Sequence, residues 1–148
     1  MSDKPQRTTR ADYPVLREIP TRWSDNDVYG HVNNVVYYSW FDTAVNAFLI
    51  ENGVLDTEGD VIGLVVETGC VYHEAVSFPE TVTAGVRVAR IGNSSVQYEL
   101  AIFGEGKDAA AAEGRFTHVY VDAASRRPAR VPDDMRAVLA TALAPGDG

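Results

Sequence analysis

The sequence predicts an α+β fold in which a curved sheet of five antiparallel strands wraps round one long central helix, with a short helix at the C-terminus. Three observations carry this. Between residues 33 and 50, Val36, Tyr37, Trp40, Phe41, Ala44, Val45, Ala47, Phe48 and Leu49 cover well over half of a helical circumference, and a helix this apolar must be enclosed. After it the hydrophobic period switches to that of strands, in four segments punctuated by Pro79, Gly92-Asn93 and Gly104-Glu105-Gly106. With 148 residues, 45% apolar and 23% charged, the chain has the size and balance of one domain with its own core.

Residues 1–11 are polar and basic and read as a disordered lead-in, leaving 12–144 as the single domain. Tyr13, Val15 and Ile19 alternate through a first strand that runs toward Trp23. Ser24-Asp25-Asn26-Asp27-Val28-Tyr29-Gly30-His31 then has loop composition and no period. Asn33 or Asn34 can cap the helix, because an Asn side chain accepts from unpaired first-turn N–H groups; Gly53 is its natural stop. Its polar positions, Ser39, Asp42, Thr43 and Asn46, form one narrow stripe. Four strands are expected at Ile62–Val76, Thr81–Ile91, Ser95–Phe103 and Ala109–Val121, spaced as an antiparallel meander. Pro132-Asp133-Asp134 opens a short helix with Met135, Val138, Leu139 and Leu143 on one face. One face of the sheet should bury the long helix, and the other stay wet or meet a partner chain.

Composition narrows the function classes. The longest apolar stretch, Val61–Val66, is far short of the roughly 20 residues of a membrane span. The polar N-terminus lacks a signal-peptide core, so a cytoplasmic address is expected. A net charge of −8 argues against nucleic-acid binding. All the basic residues except Lys4 and Lys107 are Arg, which suits local phosphate contacts. One cysteine, Cys70, excludes an internal disulfide, and His31, His73 and His118 lack metal-pair spacing, so no metal and no cofactor are expected. Gly104-Glu105-Gly106-Lys107 lacks the rest of a phosphate loop, and neither Gly-x-Ser-x-Gly nor Gly-x-Gly-x-x-Gly occurs.

The segment Arg22–Asn34 remains. It brings two carboxylates, Asp25 and Asp27, with Gly30 and His31, to the start of a helix. Unpaired N–H groups and partial positive charge make a helix start a place for a developing oxyanion. A carboxylate beside it could attack a polarised carbonyl or take a proton from water; equally, both aspartates could simply cap the turn and the helix.

Thr21-Arg22-Trp23-Ser24-Asp25-Asn26-Asp27-Val28-Tyr29-Gly30-His31-Val32-Asn33-Asn34-Val35-Val36-Tyr37 resembles the signature of the 4-hydroxybenzoyl-CoA thioesterase-like acyl-CoA thioesterases, which have the hotdog fold. Phe78-Pro79-Glu80-Thr81-Val82 with Gly85-Val86-Arg87-Val88, Ile91-Gly92-Asn93-Ser94-Ser95, Val119-Tyr120-Val121-Asp122 with Arg126-Arg127-Pro128, and Val131-Pro132 extend the likeness, in order, over residues 13–140. The resemblance implies hydrolysis of an acyl-CoA to free acid and CoA, without metal, in a homodimer or homotetramer with sites at the subunit interface. It places the essential carboxylate on Asp27, as nucleophile or general base. It places the oxyanion donors at the helix start, near Asn34 and Val35, with Gly30, His31, Asn33 and Asn34 shaping the turn. The acyl pocket is expected beside Tyr37, Trp40 and Phe41. Asp42 is a second carboxylate candidate; Glu67 and Thr68, on a strand, are weaker site candidates whose default reading is a solvated face.

This chain departs from the family pattern in one place. Basic residues often precede the Ser of the fourth-strand turn in the family, whereas Gly92-Asn93-Ser94-Ser95 stands here. Arg87, Arg90, Arg126, Arg127 and Arg130, with Ser94 and Ser95, are the candidates for holding CoA. An acyl-carrier-protein thioester is therefore an alternative substrate. A hotdog hydratase or dehydratase would need Asp-x-Asn-Pro-x-His, which is absent. A non-catalytic acyl-CoA-binding module is the remaining alternative, and its usual DNA-binding region has no room here.

Overall fold

The computed structural model describes residues 6–144. Strand β1 spans Val15–Pro20, helix α1 Asn34–Glu51, β2 Val61–Tyr72, β3 Thr81–Ile91, β4 Ser95–Phe103, β5 Ala112–Asp122 and helix α2 Asp133–Ala140. The strands form one antiparallel sheet in the order β1-β3-β4-β5-β2. This is the hotdog fold expected above: five strands, one long helix and a short C-terminal one.

Alternation fixes which residues face the helix. Val82, Ala84, Val86 and Val88 of β3, Val96, Tyr98, Leu100 and Ile102 of β4, and Ala112, Phe116 and Tyr120 of β5 share one buried cluster with α1. From α1 come Tyr37, Trp40, Phe41, Ala44, Val45, Phe48 and Leu49. Phe41 lies so close to β5 that a Cβ on Gly114 would collide with its ring, at 2.6 Å from Cζ. A glycine is needed there for the helix to approach the sheet.

The meander expectation holds for β3-β4-β5 only. β2 pairs with β5 rather than with β3, and so becomes an edge strand opposite β1. A register shift between Val65 and Glu67 breaks its alternation. β2 ends at Tyr72, short of Val76, because His73 and Glu74 both donate to the Ala111 carbonyl and turn the chain away. β1 likewise stops at Pro20, and Trp23–Asp25 form a 3-10 turn instead of continuing it. β5 starts at Ala112 rather than Ala109. Leu143 lies beyond α2, where the chain bridges to Val88 of β3.

The expected disordered lead-in is corrected over its described part; residues 1–5 lie outside the described residues. Arg7 pairs with Glu74, the Thr8 N–H and hydroxyl donate to Glu113, and Arg10 donates to Lys107 O, Thr83 Oγ1 and Gly104 O. Tyr13 then lies over Gly85 and packs edge-on against Phe103 at 5.9 Å. The outer face of β3 and β4 is thus covered by the chain's own start. These partners sit up to 105 residues away, which is why local composition did not show them.

Candidate active site

The loop before α1 folds back on itself. Asn26 and Val32 form an isolated antiparallel bridge, Asp27 N–H donates to His31 O at 2.8 Å, and Gly30 N–H to Asp27 O at 3.1 Å. Gly30 closes this turn with φ +79°, a conformation that side chains with a Cβ rarely adopt. The next loop holds it in place: Phe78 N–H donates to Asn26 Oδ1, Ser77 Oγ to Gly30 O, and Val32 N–H to Val76 O. Val28 and Tyr29 at the tip are 94% and 82% exposed.

The two aspartates have different surroundings. Asp25 is 1% exposed and accepts from Arg22 N–H, Nε and Nη2 at 2.7–3.0 Å, which secures the 3-10 turn. Asp27 is half-buried, and its carboxylate accepts only the Tyr29 N–H, at 2.8 Å, among the described residues. It lines an open cleft of about 480 Å³ with Trp23, Ser24, Asn26, Val28 and Gly30. One carboxylate is consumed by structure and the other faces solvent-accessible space. The Arg22-x-x-Asp25 spacing is the signal in the sequence that could have separated them.

At the helix start, Asn33 Oδ1 accepts the Val35 N–H at 3.1 Å and Asn33 O accepts the Val36 N–H. Asn34 N–H has no acceptor among the described residues. The Val35 donor must therefore leave Asn33 before it can meet another oxygen, whereas the Asn34 donor is free. Asn34 and Tyr37 line a cleft of about 300 Å³ with Val32, Tyr72, His73, Glu74 and Ala75. The His31 side chain is exposed, and the turn uses its carbonyl.

Of the expected acyl-pocket residues, Tyr37 lines the cleft at the helix start. Trp40 and Phe41 are buried in the core, Trp40 against Tyr37 at 5.1 Å and Phe41 against β5. Burial pushes the Tyr37 phenol up to about 12. Asp42 is exposed and accepts from Asn46 Nδ2. Glu67 meets Arg115, and Thr68 donates to the Arg115 carbonyl. All three stand apart from the Asp27 cleft.

The CoA candidates divide into two groups. Arg87 lies on the outer face, bonded to Glu99 Oε1 and Asp12 O and stacked over Tyr13 at 4.8 Å, so its charge is already engaged. By contrast, the Gly92–Ser95 turn and the 126–131 segment come together: Val131 N–H donates to Asn93 O, and Tyr120 N–H to Ser94 O while its carbonyl accepts from Ala129. Arg126, Arg127 and Arg130 are exposed on that segment, Arg130 donating to Asn93 Oδ1 and to Asp133, and Arg90 is exposed on β3 near the same turn.

Two groups escaped the sequence reading. Tyr72 ends β2 and donates to the Asn34 carbonyl; nothing in its alternation distinguishes it from other strand aromatics. His118 on β5 is buried among Phe116, Tyr98 and Tyr120, with its Nδ1 unpartnered among the described residues. Burial holds His118 below the usual histidine range, partly opposed by Asp42.

A five-stranded antiparallel sheet round one long helix is the architecture of this chain. Residues 21–139 match the family model of the thioesterase-like superfamily, and the chain belongs to that superfamily. The chemistry that goes with it is thioester hydrolysis. The structure superposes on the PA5185 protein of Pseudomonas aeruginosa strain PAO1 with a TM-score of 0.91, at 54% identity over 95% of this chain and 99% of that one. It shares its fold with Slr0204, a 1,4-dihydroxy-2-naphthoyl-CoA thioesterase from Synechocystis (TM-score 0.79, 13% identity, 84% and 94% covered). The protein YsmA of Bacillus subtilis (strain 168) is 21% identical over 94 residues, a match that spans 64% of this chain and 64% of that relative. Among the described residues, no helix is long and apolar enough to cross a membrane.

Proposed function

We propose that this protein is an acyl-CoA thioesterase in which Asp27 is the working carboxylate, as nucleophile or as general base toward water. The observation that carries the reading is the contrast within one turn: Asp25 is closed off by Arg22, while Asp27 keeps an oxygen free over an open cleft. The Asn34 N–H, and the Val35 N–H once released by Asn33, would stabilise the charge that develops on the thioester oxygen. Preorganised donors of this kind account for factors of about 10² to 10³ in rate. CoA phosphates would lie against Arg126, Arg127 and Arg130, where the Ser94–Ser95 turn meets the 126–131 segment.

The same reading makes the protein a dimer or tetramer. β2 is an edge strand with Leu64, Val65, Val66, Val71 and Tyr72 exposed, an unpaired ladder that a second copy would cover. A partner there would also dry the Asp27 cleft, which strengthens a carboxylate as base.

Thiol release from a panel of acetyl to palmitoyl and benzoyl CoA esters tests the activity. Asp27→Asn should lower kcat at least 10²-fold with the circular dichroism spectrum unchanged. Turnover by that variant within a few-fold of the parent would sink the assignment.

A further inference from the structure

The end of β2 touches the start of α1 through one polar bond. The Tyr72 hydroxyl donates to the Asn34 carbonyl at 3.0 Å, and its ring meets Tyr37 edge-on at 4.9 Å and 89°. Asn34 C=O and Val35 N–H are the two ends of a single peptide group. That plane is therefore held at its oxygen by Tyr72 and at its hydrogen by Asn33 Oδ1. Tyr72 and Asn34 also line the same cleft.

We propose that Tyr72 is a positioning residue: its phenol fixes the Asn34–Val35 peptide plane at the start of α1 so that the Val35 N–H faces the thioester. The inference rests on the function proposed above and adds a residue to it. A hydrogen bond accepted by a peptide oxygen polarises the N–H at the other end of the same peptide, which makes Val35 a better donor when Asn33 lets go. The bond also sets direction. Rotating the plane by a small angle would leave the helix intact and move the Val35 N–H off the oxygen, and a misplacement of about 1 Å can cost 10²-fold in rate. A phenol is a protonated donor at working pH, and partial desolvation at the helix start pushes Tyr72 further above its ordinary range. Asn33 and Tyr72 then have opposite tasks. Asn33 occupies a donor until substrate arrives, and Tyr72 keeps that donor aimed.

Tyr72→Phe retains the ring against Tyr37 and removes only the hydroxyl. With the best acyl-CoA of the panel, kcat should fall about tenfold while KM stays within twofold. In ¹⁵N-edited spectra the Val35 amide should move, while amides of α2 should not. A kcat within twofold of the parent overturns the proposal. So does a loss of kcat matched by a broad shift of amides across the sheet, which would mean a general structural role. Tyr72→Leu, which also loses the ring, should lower the thermal midpoint beyond Tyr72→Phe without a larger loss of kcat in the folded fraction; a larger loss of kcat would assign the effect to packing and overturn the proposal. The parent's own turnover and Asp27→Asn read the underlying function separately, so failure of one is not mistaken for failure of the other.

Discussion

Placing an alanine at Gly114 tests whether Phe41 is a structural wedge or the wall of an acyl pocket. The new Cβ would sit 2.6 Å from Phe41 Cζ and 3.0 Å from the Gly69 carbonyl of β2, with the Phe41 ring edge closer still. Phe41 is fully buried and has no free side toward which to swing, and the Gly69 oxygen belongs to a paired strand. Overpacking of this kind costs about 1–3 kcal/mol. Phe41→Leu alone opens a small void and should cost about 1 kcal/mol. The double variant removes the ring that collides, so the two losses should fall short of adding by at least 0.5 kcal/mol, the coupling expected of groups in contact. Equilibrium urea denaturation followed by tryptophan fluorescence measures all three. Acyl-chain preference should be the same in all folded variants, because Phe41 lines neither cleft at the helix start. An unchanged midpoint for Gly114→Ala, or strict additivity, would refute the wedge; a shift of preference from short to long acyl chains in Phe41→Leu would restore the pocket reading.

Two further outcomes follow from buried and exposed groups. His118 is held neutral by burial, so the unfolded chain takes up a proton at a higher pH than the native state. Its contribution to stability is full above the unfolded value of about 6.5 and falls as pH drops toward the lower native one. In urea titrations between pH 7.5 and 5, His118→Phe should flatten this decline, and an identical slope in parent and variant would remove His118 as its source. Val66 stands 59% exposed on the β2 edge, so Val66→Lys should lower the mass seen by light scattering at least by half; an unchanged mass would exclude this edge from the interface.

What could be read from the sequence followed from local chemistry. Asn33 does cap α1, Gly53 follows its end with φ +71°, and the turns at Pro79, Gly92 and Gly104 do separate the strands. Alternation shows which strand residues point inward, but not which strand lies beside which, so the edge position of β2 was hidden. Apolar identity alone could not divide Tyr37, which lines a cleft, from Trp40 and Phe41, three and four residues along α1, since all three are buried in the same core. Charge alone could not show that Arg87 is already held by Glu99 and Asp12. For Asp25 and Asp27 the residues were visible, and the Arg22-x-x-Asp25 spacing hinted at their division of labour, which only the direction of the Arg22 side chain makes plain. The polar start of the chain was misread for the same reason: its partners are distant in sequence.

The strand order also sets the course of folding. Only β3-β4 and β4-β5 join strands that are near in sequence; β1 must find β3 across α1 and β2, and β2 must find β5 across two intervening strands. Closing such loops costs entropy before any contact repays it, so this is a chain of slow, late edges round an early three-stranded centre. Helix α1, apolar on most of its surface, has no stable exposed state to wait in. It must be received by that centre as it forms, and the edge strand that offers itself to a second copy is among the last parts of the first copy to arrive.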